Sequence, residues 1–226
     1  MDYFLKLPNI RIKNGCFKNC QKLTKINIPS TIDSIGEDTF NNCSNLEEVI
    51  LPSSITSISD CSFYYCDSLL YITIPSSCRY IGINAFYGCK KISQIILPTS
   101  LKSIENHSFE KCSSLSKVII PSSVESIGCY SFNGCDFLVD IEIPSSVTFI
   151  GEHAFSECKN LSKIILPSSL KSIEKNLFDG CISLSEVVIP SSVDTINEYS
   201  FNKCNSLTNI EIPSSVTFIG EHAFSE

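Results

Sequence analysis

Thirteen cysteines and three histidines are the side chains of this chain with the most chemistry to offer, as disulfides, metal ligands or nucleophiles. Their spacing decides among these. Cys20, Cys43, Cys66, Cys89, Cys112, Cys135, Cys158, Cys181 and Cys204 recur every 23 residues, so they stack as a ladder and do not converge. Rungs about 5 Å apart at Cα carry parallel Cβ vectors, which leaves the Cβ atoms beyond the ~3.8 Å that a bridge prefers. They are expected to be free, buried thiols acting as small hydrophobes. Cys16, Cys61, Cys78 and Cys129 fall elsewhere in the period and none makes a C-x-x-C. Four converging zinc ligands cannot be assembled from such spacings, so no metal or cofactor is expected. His107, His153 and His222 share one place in the repeat, two and three repeats apart. At the usual strand spacing that is roughly 10 and 14 Å, too far to share a metal or relay a proton, and they are expected on exposed loops. The abundant serines recur as turn residues without a G-x-S-x-G context, and no Gly-rich phosphate loop is present. No catalytic residue is identified, and an enzyme is not expected.

The elements that position these residues follow from the period itself. Prolines at 29, 52, 75, 98, 121, 144, 167, 190 and 213 are each 23 residues apart. Counting each Pro as position 1, position 7 is always Ile, position 12 always Phe and position 15 always Cys; position 18 is Leu or Ile, and positions 21 and 23 are aliphatic. Alternation of 21 and 23 with polar or variable residues at 20 and 22 predicts one short, half-buried strand per repeat, ended by the Pro. A small residue, Phe and Cys at positions 11, 12 and 15 predict a helical or 3-10 turn. Gly at position 8 in several repeats suits a tight entry to it. Such a unit cannot bury its apolar face alone, so neighbours must stack their strands into a parallel sheet. The chain therefore reads as one domain, 1–226: a degenerate N-terminal repeat (1–28, with Pro8 displaced by two residues), eight repeats (29–212) and an incomplete last repeat (213–226).

The pattern Leu-x-x-Ile-x-Ile-Pro-Ser-Ser-Val-x-x-Ile-Gly-x-x-Ala-Phe-x-x-Cys, read from Leu138 to Cys158, resembles the BspA-like, or Treponema pallidum-type, leucine-rich repeat. The resemblance covers nearly the whole chain. It implies a right-handed, horseshoe-like leucine-rich-repeat solenoid with the parallel sheet on its concave face and the short helical turns on the convex side. It also implies kinship with surface or secreted proteins linked to adhesion.

Composition narrows the partners. Seventeen Lys and Arg against 24 Asp and Glu, for a net charge of -7, leave no footprint for nucleic acid. No run approaches the roughly 18 apolar residues that insert in a bilayer, and the N-terminus lacks the pattern of a signal peptide. Unpaired cysteines and this N-terminus point to the cytoplasm, whereas the resemblance points to the cell surface. The segment Ile141–Glu157 recurs unchanged at Ile210–Glu226, three repeats on, which indicates a copied block. With no polar capping repeat after it, the C-terminal end is expected to self-associate, or to belong to a longer array.

A protein partner is expected on the outward residues of the strands. Position 20 supplies Tyr71, Gln94, Lys117, Asp140, Lys163 and Glu186; position 22 supplies Ile96, Ile119, Glu142, Ile165 and Val188. Ile96 with Ile119, and Ile165 with Val188, would form exposed apolar pairs with a charged rim, and Tyr71 is the one aromatic anchor. The competing reading gives those aliphatics to strand propensity alone, in a structural or self-assembling array.

Overall fold

An aliphatic residue at position 21 leaves water only when its equivalent in the next repeat lies beside it. The computed structural model, which describes residues 12–225, has this stacking along the array. Positions 20–22 form the strands Lys25–Asn27, Glu48–Ile50, Tyr71–Ile72, Gln94–Ile96, Lys117–Ile119, Asp140–Glu142, Lys163–Ile165 and Glu186–Val188. They run parallel and pair one repeat apart, so that Ile141 faces Ile164 and Ile164 faces Val187. Continuous pairing is interrupted at two seams, after Tyr71–Ile72 and before Asp140–Glu142. The molecule is thus a solenoid of about eight turns. The start of the N-terminal repeat, with Pro8, lies outside the described residues.

Where one strand per repeat is expected, there are two. Positions 6 and 7 pair in parallel as well, at Ser34–Ile35, Ser57–Ile58, Tyr80–Ile81, Ser103–Ile104, Ser126–Ile127, Phe149–Ile150, Ser172–Ile173, Thr195–Ile196 and Phe218–Ile219. The position-7 isoleucines must stack for the reason that holds at position 21. A two-residue strand is simply too short to leave an alternating pattern.

The expected helical or 3-10 turn is absent from the described residues, and the physical reason is competition between local and inter-repeat hydrogen bonds. In a helix the N–H groups of positions 10, 12 and 14 would bond within their own repeat. Here they donate to the next one: Asp38 to Asp60 O at 3.0 Å, Phe40 to Ser62 O at 2.8 Å and Asn42 to Tyr64 O at 2.7 Å, with the same ladder repeated along the array. To aim them outward, position 10 takes a left-handed backbone in each repeat from Asp38 (φ 56°) to His222 (φ 56°), and position 14 does so from Asn42 (φ 60°) to Lys203 (φ 57°). Local turns close around them, as in Thr39 N–H to Gly36 O at 3.3 Å around Asp38 and Cys43 N–H to Phe40 O at 3.1 Å around Asn42. A positive φ at the third residue of a turn is the type II requirement. Stacking is the only route by which such a repeat gains stability, so the bonds between repeats prevail.

Phe17, Phe40, Phe63, Phe86, Phe109, Phe132, Phe155, Phe178, Phe201 and Phe224 form one continuous ring stack, with centroids 5.2–5.9 Å apart and planes within 19°. The rings share one continuous core with the buried isoleucines, leucines, valines and cysteines. Each ladder thiol from Cys43 to Cys204 donates to the carbonyl of the Phe in the preceding repeat at 3.0–3.3 Å. That carbonyl already accepts the N–H of the Cys three residues on, so the thiol fills its second lone pair.

Two further residues act between repeats, not within turns. Ser at position 3 donates to the position-4 carbonyl of the preceding repeat, as in Ser54 to Ile32 O at 2.5 Å and Ser215 to Val193 O at 2.7 Å. Gly151, at position 8, lacks the unusual φ that a tight entry implies. A Cβ there would stand 2.6 Å from the Cys129 backbone N, so the glycine serves close approach of adjacent repeats. In the last repeat, Ile219 and Phe224 occupy core positions yet are 48% and 37% exposed.

Candidate functional site

Because positions 21 and 23 must face the core, the pleat sends positions 20 and 22 to solvent. All eleven residues assigned to this face lie there exposed: Tyr71, Gln94, Ile96, Lys117, Ile119, Asp140, Glu142, Lys163, Ile165, Glu186 and Val188. Register brings Ile96 beside Ile119, and Glu142 beside Ile165 and then Val188. Ile96 is 62% exposed, a large value for a strand aliphatic. In the charged column Asp140, Lys163 and Glu186 are in register, and Lys163 Nζ reaches Glu186 Oε1 at 2.6 Å. Among the described residues Lys117, Asp140 and Glu142 make no ion pair. Gln94 pairs with Lys117 across the second group of strands, while Tyr71 pairs with Glu48 and borders the first seam.

Three exposed hydrophobics beside these columns were not expected: Leu70, Phe137 and Val139. Their signal was available, since position 19 is Ser in four repeats and position 17 is otherwise Asn, Ser or Lys. On the turn side, Tyr64 stacks on Tyr87 with centroids 4.8 Å apart, Tyr65 meets both edge-on, and Lys111 Nζ bonds the Tyr87 hydroxyl at 2.6 Å.

The histidines are less free than exposed-loop residues. Tyr130 is sandwiched between His107 and His153, with centroids at 4.9 and 4.4 Å, and His222 stacks on Tyr199 at 5.0 Å. His107 Nδ1 lies 2.5 Å from the Glu110 carboxylate, and Asn176 Nδ2 donates to His153 Nε2 at 3.1 Å. Burial lowers the pKa of His153, against the carboxylates of Asp179 and Glu152. Among the described residues no group of three or more His, Cys, Asp or Glu is placed to hold a metal ion.

Burial raises the pKa of the ladder thiols from Cys43 to Cys204, to about 11 at Cys43 and about 12 at Cys112, which removes the thiolate that alkylation and oxidation require. Iodoacetamide on the native protein is therefore expected to label only Cys16, Cys20, Cys61 and Cys129, the thiols with some exposure, and all thirteen after denaturation. Intact mass and peptide mapping read this out. Native labelling at Cys112 or Cys135 would contradict the packing described.

A model of the BspA type leucine-rich repeat region matches residues 10–139 and 125–226, in six copies. The chain belongs to this family. As a BspA-type solenoid it is similar to the crystal structure of a T. pallidum leucine-rich repeat protein, with 35% identity and a TM-score of 0.69 over 83% of this chain and 79% of that one. It is also similar to a leucine-rich cell surface protein from Faecalibacterium prausnitzii, with 30% identity and a TM-score of 0.60 over 88% and 62% of the two chains. A leucine-rich repeat protein from Bacteroides ovatus follows at 27% identity and a TM-score of 0.55, over 93% and 78%. No curated protein matches the chain. In the fold shared with these BspA-type structures, the exposed columns lie on the parallel sheet that lines the array.

Proposed function

We propose that this BspA-type chain is a non-enzymatic scaffold that binds a protein through its sheet face, with an adhesin-like role at a cell surface. The observation that carries this reading is the row of exposed aliphatics, Ile96 with Ile119 and Ile165 with Val188, each pair held side by side by the register of paired parallel strands. Strand propensity accounts for β-branched residues here, but exposed apolar pairs bordered by charge are the composition of an interaction surface. The F. prausnitzii neighbour, described as a cell surface protein, supports the location.

The test places a photo-crosslinking residue at Gln94, on this face, and at Lys102, which lies exposed outside it, and compares partner yields on intact cells or matrix. Ile96→Ser with Ile119→Ser is expected to cut the Gln94 yield about tenfold. The Lys102 background and the circular dichroism spectrum should not change, because neither isoleucine contributes to the core. Equal yields with and without the two isoleucines would remove the face from the interaction.

A further inference from the structure

The repeat containing Asp140–Glu142 departs from its neighbours in two independent ways. Its position-17 and position-19 residues are Phe137 and Val139, 59% and 50% exposed, whereas the equivalent residues three repeats on are Ser206 and Thr208. Its outward strand residues are both carboxylates. Glu142 interrupts the aliphatic row between Ile119 and Ile165, and the cation nearest to Asp140 in register, Lys163, is bonded to Glu186 instead. The seam on the Lys117–Ile119 side leaves a shallow depression lined in part by Lys117, Ile119, Val139, Asp140 and Glu142.

We propose, building on the scaffold reading above, that this repeat is the centre of the docking surface and that its occupant is an α-helical segment of a partner protein. The segment carries a Lys or Arg flanked on each side, one helical turn away, by an apolar side chain. Charge and apolar complementarity select the composition. Among the described residues the two carboxylates make no ion pair although Lys117 lines the same depression, and Ile119, Val139 and Ile165 border them with apolar surface. Spacing selects the helix. Adjacent strands lie about 4.8 Å apart, so Ile119 and Ile165 are separated by about 10 Å, close to the ~10.5 Å between residues i and i+7 of a helix. Residue i+4 then falls on Glu142. An extended segment along the same axis has same-face side chains about 6.6–6.8 Å apart and loses register within two repeats.

The probe is a fluorescein-labelled, stapled helical peptide of about fourteen residues on an Ala/Gln background, with Leu at i and i+7 and Arg at i+4. Fluorescence anisotropy compares it with an Arg→Glu version and a Leu→Ser version. The protein variants are Asp140→Asn with Glu142→Gln, and a charge-matched control, Asp33→Asn with Asp194→Asn, at exposed sites outside this face. The Arg peptide is expected to bind the unmodified chain and to bind the Asp140/Glu142 variant about tenfold more weakly, with the Asp33/Asp194 control unchanged. Both altered peptides should also lose about tenfold. Equal weakening by the two variants would reduce the effect to net charge and overturn the proposal. So would equal binding of the Arg and Glu peptides, or no binding of the Arg peptide at all. These failures leave the scaffold reading standing if the Ile96/Ile119 substitutions still abolish crosslinking at Gln94.

Discussion

Phe132→Ala is expected to lower stability by about 3–5 kcal/mol, near the top of the range for a single core residue. The ring is fully buried and stacked between Phe109 at 5.5 Å and Phe155 at 5.6 Å, so its removal deletes apolar burial and two aromatic pairs at once. Each such pair is worth about 0.5–1.5 kcal/mol beyond area. The cavity cannot collapse, because the Phe132 N–H is bonded to Ala154 O at 2.9 Å and Ser131 O accepts from Phe109 at 2.9 Å, which fixes the local repeat spacing. In an array coupled only between neighbours, a weak repeat in the middle also uncouples the two halves. Urea unfolding followed by circular dichroism should show a lower midpoint and a broadened or split transition. Phe17→Ala, at a half-buried ring near the N-terminal end of the stack, should cost distinctly less. A loss below about 1 kcal/mol at Phe132 would be incompatible with the ring stack as the spine of the core.

The second large effect is expected at Gly151. Its φ is ordinary, so Ala would by itself be neutral or slightly stabilising through the unfolded chain. The added Cβ, however, would meet Cys129 at 2.6 Å from the backbone N, 2.8 Å from Sγ and 2.9 Å from Cα. Backbone cannot step aside without parting the two repeats, and overpacking of this kind costs about 1–3 kcal/mol, more for Gly151→Val. Gly134 fails for the opposite reason: its φ is 69°, but a Cβ there has 3.6 Å of clearance to the Lys111 side chain. Asn tolerates a left-handed backbone. Gly134→Asn should thus remain close to the unsubstituted stability while Gly151→Asn does not, and thermal unfolding of the pair separates crowding from backbone strain. Similar losses in both would show that one of these two causes has been misassigned.

Those glycines also mark where sequence reading reached and where it stopped. A strict period exposes the positions that never meet water, and Ile35, Phe40, Cys43, Leu46 and Val49 are buried as their spacing requires. The outward columns were legible for the same reason, since inward residues at 21 and 23 leave 20 and 22 no other direction. The turn side was not. Phe and Cys three apart fit a helical turn equally well, and nothing within one repeat reveals that its N–H groups are needed by the next. Position 14 held a hint in Asn42, Gly88, Gly134 and Gly180, but Tyr65, Lys111 and Glu157 share it and adopt a positive φ that costs such residues about 1–2 kcal/mol. Bonds between repeats override that preference. Val139 was visible as a letter but not as part of a site, because its meaning depends on the unpaired carboxylates beside it.

The ladder at positions 9 to 14 has an electrical consequence. The peptide group joining Asp60 to Cys61 accepts from Asp38 on one side and donates to Ile83 on the other, and those joining Ser62 to Phe63 and Tyr64 to Tyr65 do the same. Three files of amides therefore run head to tail along the solenoid, each group carrying about 3.5 D in the same direction, as in an α-helix but at right angles to the chain. Aligned hydrogen bonds polarise one another, so every repeat added strengthens those already present. The summed dipole points its N–H pole toward the His222 repeat, which gives the turn side an axial field whose strength grows with the number of copies of the 23-residue unit.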